Sequence, residues 1–282
     1  MQRKNLLAGN SNVMVCSSLF WMDGKKVEST WDLLAKNKGK GEARNARMFK
    51  KQIAYGCDTM TFICFHSGDP ECVINPWKGN PTTQQVMAGR AVIDIEECNR
   101  WSRILQDIKT NYPGAKLIPC IFCGDDAAST RNEAFHAAWL PLLVDFLWPY
   151  SKAFLIATEA SKSMDVRLQE RMIARMKAHL QANKKAMGYP ALPIGVHNQG
   201  FTVAGNADFL AYEFSWHPSE GDGFTSAQVV SEAKDVLKKS PRPIWFQEIN
   251  MNVEGQRARE QVRALRTLAK TEPKLIGIPG PM

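Results

Sequence analysis

The sequence contains no run approaching the roughly 20 apolar residues that a spanning helix needs. Its best candidates, 137–148 and 153–157, are short or interrupted, so neither a transmembrane helix nor a membrane partner is expected. The basic start, Met1-Gln2-Arg3-Lys4, turns polar at Asn10-Ser11-Asn12 before any useful apolar stretch, and no secretion signal is expected. Cysteine is scarce and unpatterned: seven residues, an odd number, do not make a disulfide scaffold. Cys120 and Cys123 have redox or zinc spacing, yet within a strand they fall on opposite faces and no second Cys or His pair completes four ligands, so core packing is expected. No glycine-rich phosphate loop follows the first apolar run, which weighs against a dinucleotide-binding sheet. No Gly-x-Ser-x-Gly elbow supports a serine nucleophile. No cofactor is implied.

What remains is ordinary folded matter: 282 residues, 44% hydrophobic and 23% charged, close to globular averages. Without an internal repeat, low-complexity linker or composition break, the reading is a single domain over 1–282. The net charge of +8 comes from 36 Lys and Arg against 28 Asp and Glu. Those basic residues are scattered over Lys36, Lys38 and Lys40 and over helical patterns bearing Arg167, Arg171 and Arg175, or Arg257, Arg259, Arg263 and Arg266. That distribution fits solvated outer helix faces, and no nucleic-acid partner is expected.

Short apolar runs alternate with amphipathic stretches along the whole chain. Strands are expected at 12–16, 59–65, 116–123, 153–158, 193–197, 208–214, 243–247 and 275–278. Between them, Ile95, Cys98, Trp101, Leu105 and Ile108 trace one helical face, Leu168, Met172, Ile173, Met176 and Leu180 a second, and Val229, Val230, Ala233, Val236 and Leu237 a third. Gly56, Pro113-Gly114 and Gly188 with Pro190 read as helix stops. Parallel strands covered on both faces read as continuous apolar runs, and eight of them alternating with helices predict an α/β fold, the (β/α)8 TIM barrel. The gap between the fifth and sixth strands is too short for a full helix and none follows the eighth strand, so an incomplete outer ring is expected.

In such a barrel the loops after the strands share one rim, where binding sites are built. The long connections 17–41 and 66–94 carry Trp21, Trp31 and Trp77. Strand ends lead to Asp125-Asp126, Thr158-Glu159, His197-Asn198-Gln199, Tyr212-Glu213 with Trp216-His217, and Gln247-Glu248. A carboxylate directly after a buried strand is costly if desolvated alone. Two of them facing across a cleft are the minimum apparatus for cleaving a glycosidic bond. Each acid also fits an exposed strand end or half of a structural ion pair.

Thr158-Glu159 at the end of strand four and Glu248 at the end of strand seven resemble the arrangement of the clan A retaining glycoside hydrolases, the cellulase- and mannanase-like barrels. The segment Tyr55-Gly56-Cys57-Asp58-Thr59-Met60-Thr61-Phe62 is similar to that clan's approach to strand two. The resemblance implies Glu159 as acid/base and Glu248 as nucleophile, acting with net retention. The chain departs from the pattern in having Thr158 where the clan usually has Asn, and in lacking an aromatic platform at Ile278-Pro279-Gly280-Pro281.

Glu213 is a third carboxylate that orients a partner, binds hydroxyls or replaces one of the pair. Tyr212 is a candidate hydrogen-bond partner of the nucleophile, as a strand-six tyrosine is in the resembled clan, but a regular strand cannot turn both inward. Trp77 and Trp216, with Trp21, are candidates for stacking on sugar faces, core packing being the alternative. His66, His197 and Asp125 are placed to bind hydroxyls. The expected partner is a carbohydrate, with the positive charge leaning toward an anionic cell-wall or capsular polymer. Two other readings stay open: a barrel that binds a glycan or protein without catalysis, and a metal-assisted hydrolase using His66 and His197, which lacks a His-x-His pair at the first strand. Without a signal, the expected location is the cytoplasm, or outside after release by another route such as host lysis.

Overall fold

The computed structural model describes residues 14–16, 20–23, 26–29, 57–65, 77–79, 81–111, 113–114, 116–188, 190–214, 225–248 and 256–279. Eight parallel strands close into a barrel: β1 (Met14–Cys16), β4 (Thr59–Phe65), β5 (Lys116–Phe122), β6 (Phe154–Ala157), β7 (Ile194–Asn198), β8 (Phe209–Glu213), β9 (Ile244–Glu248) and β10 (Leu275–Pro279). The first strand closes the ring by pairing with both ends of the series, Met14 with Gly277 on β10 and Cys16 with Thr59 on β4. An antiparallel hairpin, β2 (Phe20–Asp23) and β3 (Lys26–Ser29), fills part of the first long connection and was not expected from the sequence. Its register pairs Trp21 with Glu28.

The helices described are α1 (Thr83–Met87), α2 (Ile95–Asn111), α3 (Ala127–Thr130), α4 (Glu133–Leu147), α5 (Val166–Met187), α6 (Ser226–Lys239) and α7 (Gln256–Ala269). Their ends follow local chemistry. Asp165 caps α5 by accepting the Leu168 N–H at 2.7 Å, and Gly188 ends it at φ 68°, the left-handed conformation that glycine tolerates best. Thr225 and Gln228 form a capping box at the start of α6. Residues 199–208, between β7 and β8, carry no helix, which leaves the outer ring open at the expected place. Gly56 lies outside the described residues.

Period-two alternation sorts the strands' side chains into two environments. Ile118, Cys120, Leu155, Phe209, Ala211, Trp245 and Ile276 pack together inside the barrel. Phe209 fits because Gly195 faces it: a Cβ there would stand 2.4 Å from the ring. Outside the barrel, Leu210, Tyr212, Phe214, Ile244 and Phe246 pack against Val229, Val236 and Leu265 of α6 and α7. A larger cluster joins β4 to β7 with α4 and α5 through residues such as Trp139, Leu143, Ile156, Met172 and Ile194. Each large apolar side chain so buried contributes roughly 1.5–3 kcal/mol relative to exposure.

The two ends of the barrel differ. At the N-terminal end, ion pairs fix strand starts: Lys116 Nζ lies 2.9 Å from Asp58, and Asp208 accepts both the Ile194 N–H and Lys177 Nζ. At the C-terminal end the polar residues converge on a mouth.

Candidate active site

β6 carries Phe154-Leu155-Ile156-Ala157 to the mouth, and the chain then turns sharply. Glu159 adopts φ 39° and ψ 47°, opening a single 3-10 turn over Ala160–Lys162. Three sets of contacts hold this turn. The Glu159 N–H donates to Nδ1 of His197 at 2.9 Å, so His197 carries its proton on Nε2. The Ser161 N–H and hydroxyl both donate to Oδ1 of Asn198, whose Nδ2 donates to Thr202 O. Lys162 Nζ reaches back to Oε2 of Glu159 at 2.6 Å and across to Asp125 at 3.3 Å. The neighbouring turn after β5 is seated on the same segment, since the Gly124 N–H donates to the Thr158 hydroxyl at 3.2 Å and that hydroxyl donates to Cys123 Sγ. Thr158 is thereby committed to joining two strand ends.

Glu213, at the end of β8, continues the inward series of Phe209 and Ala211. Gln199 Nε2 donates to its Oε1 at 2.8 Å, while Oε2 is buried with no partner among the described residues. Burial raises the Glu213 pKa above the usual carboxylate range; the Gln199 hydrogen bond opposes this, the Glu159 charge adds to it and Lys162 opposes it. His197 is buried at the mouth, and burial, with the Lys162 charge, pushes its pKa down to about 3, so it is a neutral imidazole. Its Nε2 has no partner among the described residues. Burial alone would lower the Lys162 pKa, but the hydrogen bond and charge of Glu159, with Asp125, carry it upward, so the ammonium persists.

β9 contains a bulge beside this group. Ala211 pairs with Trp245 and Tyr212 with Phe246, but Glu213 pairs with Glu248, leaving Gln247 as the extra residue. Gln247 is fully buried and neither amide atom has a partner among the described residues. Without the bulge, regular alternation would give position 248 the parity of Phe246. With it, position 248 is the register partner of Glu213.

Of the residues singled out in the sequence, the structure joins Glu159, His197 and Asp125 through direct contacts or the shared Lys162, and brings Glu213 into their electrostatic field. Glu248 is set beside Glu213 by strand register; its side chain lies outside the described residues. Tyr212 corrects the expectation. It faces the helices, edge-on to Phe214 and Phe246 with ring centroids 5.9 and 6.0 Å away, because the strand's alternation turns Glu213 inward. Trp77 is half-buried, pairs with Ile93 in an isolated bridge and packs against the larger core cluster. His66, Trp216 and His217 lie outside the described residues. Among the described residues, no group of three or more His, Cys, Asp or Glu side chains is arranged to hold a metal ion. The thiols of Cys64 and Cys120 are buried inside the protein with their pKa values raised by that burial, the behaviour of packing groups.

Sequence reasoning missed three participants: Lys162, Gly124 and Gln247. Lys162 was findable, because i, i+3 spacing from Glu159 brings the two side chains together on a helical turn. Gly124 and Gln247 act through a close approach and a bulge, which have no signature in residue spacing.

No protein-family model matches the chain, and no curated protein matches it. Solved structures do. An endo-1,4-beta-mannanase from Rhizomucor miehei superposes with a TM-score of 0.58 at 12% identity, over 95% of this chain and 89% of that one. A beta-glucosidase from Exiguobacterium marinum gives a TM-score of 0.54 at 12% identity, over 99% and 89%. Gas2 in complex with a small compound gives 0.49 at 14% identity, over 95% of this chain but 57% of its own, so the chain spans little more than half of that protein. At the level of fold, this chain is a (β/α)8 barrel similar in architecture to the mannanase and the beta-glucosidase.

Proposed function

We propose that the protein is a glycoside hydrolase that cleaves O-glycosidic bonds of a polysaccharide or oligosaccharide with net retention. The observation that carries this reading is the convergence of Glu159, Glu213 and position 248, from the ends of β6, β8 and β9, on one end of a barrel shaped like a mannanase and a β-glucosidase.

In this reading the Glu248 carboxylate attacks the anomeric carbon while the bond to the leaving oxygen breaks and that oxygen takes a proton from Glu159. Water then gives a proton back to Glu159 and its oxygen to the anomeric carbon, releasing Glu248. The turn that holds Glu159 supports the assignment: a residue kept in a left-handed conformation by His197 and seated on Gly124 is a positioned group, and positioning is a large part of a catalytic barrier. Lys162 must release Glu159 for the proton to be taken up, so an incoming substrate has to displace that ion pair. The excess of positive charge supports an anionic glycan as the substrate class.

The test uses aryl β-glucosides and β-mannosides with good leaving groups, following turnover and the anomer first released by proton NMR. The expected result is hydrolysis with retention in the wild type, and losses of at least about 10²-fold in Glu159→Gln and Glu248→Gln. The Lys162–Glu159 ion pair is also what a non-catalytic glycan-binding barrel would contain. Glycan binding unchanged in both variants, with no product from any of them, would select that second reading.

A further inference from the structure

In the proposed reaction Glu159 has to carry a proton, and a neighbouring ammonium opposes it. Lys162 follows Glu159 by three residues on one short turn, so its Nζ sits 2.6 Å from Oε2 of Glu159. The same Nζ lies 3.3 Å from Oδ1 of Asp125, which comes from the turn after β5. Neighbouring residues fix Asp125 in place. The Gly124 N–H donates to the Thr158 hydroxyl at 3.2 Å, and the Asp126 side chain accepts the Ser129 N–H at 3.3 Å. Both of these flanking residues are buried, whereas the side chains of Asp125 and Lys162 are 62% and 47% exposed, so the ammonium can cross between the two carboxylates at the surface. One positive charge is thereby shared by two negative ones from different strand ends.

We propose that Lys162 and Asp125 are positioning residues that work as a two-seat relay: the ammonium rests chiefly on Glu159 while that carboxylate is ionised, and settles on Asp125 when Glu159 takes up its proton. No covalent bond to Lys162 changes; the arriving proton replaces the ammonium as the partner of the Glu159 carboxyl group. The relay rests on the glycosidase reading for its effect on turnover, and on ion-pair geometry alone for the exchange of seats. Release onto Asp125 keeps the ammonium compensated and clear of the leaving oxygen. Among the described residues, the titratable groups that act on Lys162 or feel its charge are Glu159 on its own turn, Asp125 after β5, His197 on β7 and Glu213 on β8. His197 is neutral, and burial raises the Glu213 pKa, which leaves Asp125 as the second seat. Burial works against the charge on Lys162, but the hydrogen bond and charge of Glu159, with those of Asp125, raise its pKa, so the relay moves a cation and not a neutral amine.

Two measurements test the relay. The first needs no substrate: NMR of protein labelled with nitrogen-15 and carbon-13 finds the Lys162 ammonium as the resonance absent from Lys162→Met, and identifies its carboxyl partner by the coupling across the hydrogen bond. Coupling to the Glu159 carboxyl carbon is expected in the wild type, and to that of Asp125 in Glu159→Gln, whose neutral amide stands for the protonated acid. An ammonium that stays on position 159 in Glu159→Gln, or exchanges freely with water, overturns the relay whatever the protein's activity. The second follows kcat/KM against pH on phenyl β-glucoside and β-mannoside, whose poor leaving group needs the acid. The ammonium favours the ionised form of a group that must work protonated, so Lys162→Met should carry the alkaline limb of the profile up by roughly half a pH unit, the size expected of an exposed ion pair. Asp125→Asn leaves the ammonium one seat and should carry that limb down by about as much. With Lys162 already replaced by Met, the Asp125→Asn shift should fall to less than half, because no cation remains to be redirected. Side chains that merely brace the turn would lower the rate without moving the limb in opposite directions. Shifts of one sign, no shift, or an Asp125→Asn shift undiminished in the double variant would overturn the relay. Should no glycoside turn over at all, the glycosidase reading fails while the couplings still decide the relay; should the wild type hydrolyse glycosides and Glu159→Gln not, with the ammonium never on Asp125, the glycosidase reading stands and this inference falls.

Discussion

Glu159 is the only non-glycine residue with a positive φ among those described. The left-handed conformation places Cβ too near the following carbonyl and costs an ordinary residue about 1–2 kcal/mol, so it persists only where surrounding contacts enforce it. Here they do: His197 takes the Glu159 N–H, and Asn198 takes both donors of Ser161 two residues later. The strain belongs to the backbone and not to the carboxylate, which can be separated by comparing two truncations. Glu159→Ala and Glu159→Gly both remove the side chain and its ion pair with Lys162, but only glycine adopts φ 39° freely. The glycine variant is therefore expected to be about 1 kcal/mol more stable than the alanine variant in urea unfolding, the reverse of the usual order, and under the proposed acid/base role of Glu159 neither should turn over glycosides. An alanine variant as stable as the glycine one would mean that the turn is not strained.

At the scale of elements, the site depends on two turns from adjacent strands crossing closely. A Cβ on Gly124 would stand 2.3 Å from the Thr158 carbonyl oxygen and 2.5 Å from that of Glu159. Both obstacles are backbone, so Gly124→Ala must displace the turn that aims Glu159, at a cost of about 1–3 kcal/mol in stability. If Glu159 is the acid/base, as proposed, turnover should fall about 10²-fold, since displacing a catalytic group by about 1 Å suffices. Gly114→Ala, where an added Cβ meets nothing within 4 Å, is the control, and a matching loss there would sink the crossing argument. The strands were legible because both faces are covered, which leaves apolar runs such as Ala153-Phe154-Leu155-Ile156-Ala157, bounded by Lys152 and Thr158. The start of β4 at Thr59, that of β5 at Lys116 and the helix stop at Gly188 follow from the same patterns. The β2–β3 hairpin was not legible, because Lys26-Val27-Glu28-Ser29 has too little apolar content to stand out within a long loop. Tyr212 and Glu213 could be recognised as competitors but not ranked. Parity relative to the barrel axis depends on where the strand begins pairing, and an aromatic next to an acid fits either face. The bulge at Gln247 was invisible for a related reason: one extra residue changes the face of everything after it without changing composition.

For the whole molecule, closing a barrel forces polar groups into places that water does not reach, and two histidines record this. His197 is buried at the mouth, and His136 on α4 is fully buried, stacked on Phe122 at 5.1 Å with Nε2 bonded to Ser129 O and Nδ1 without a partner among the described residues. Burial pushes the His136 pKa down to about 4, helped by the Arg175 charge, and burial with Lys162 pushes that of His197 to about 3. In the unfolded chain both return to about 6.5. Their folded values are depressed, so below pH ~6.5 the unfolded state binds protons that the folded state refuses, and stability falls as pH falls, by about 1.4 kcal/mol per pH unit for each histidine. Glu213 acts in the opposite direction, because its raised folded pKa favours the folded state as protons are added. The net slope mixes these effects, but a difference between two proteins does not. His136→Gln removes one depressed group far from Glu213 in sequence and keeps an N–H donor for Ser129 O. Between pH 6 and 5, its stability from urea unfolding should decline less steeply than that of the wild type, by about 1.4 kcal/mol per pH unit. Parallel slopes would mean that His136 accepts a proton inside the folded barrel, and that the stack on Phe122 opens to water well above the pH at which the fold is lost.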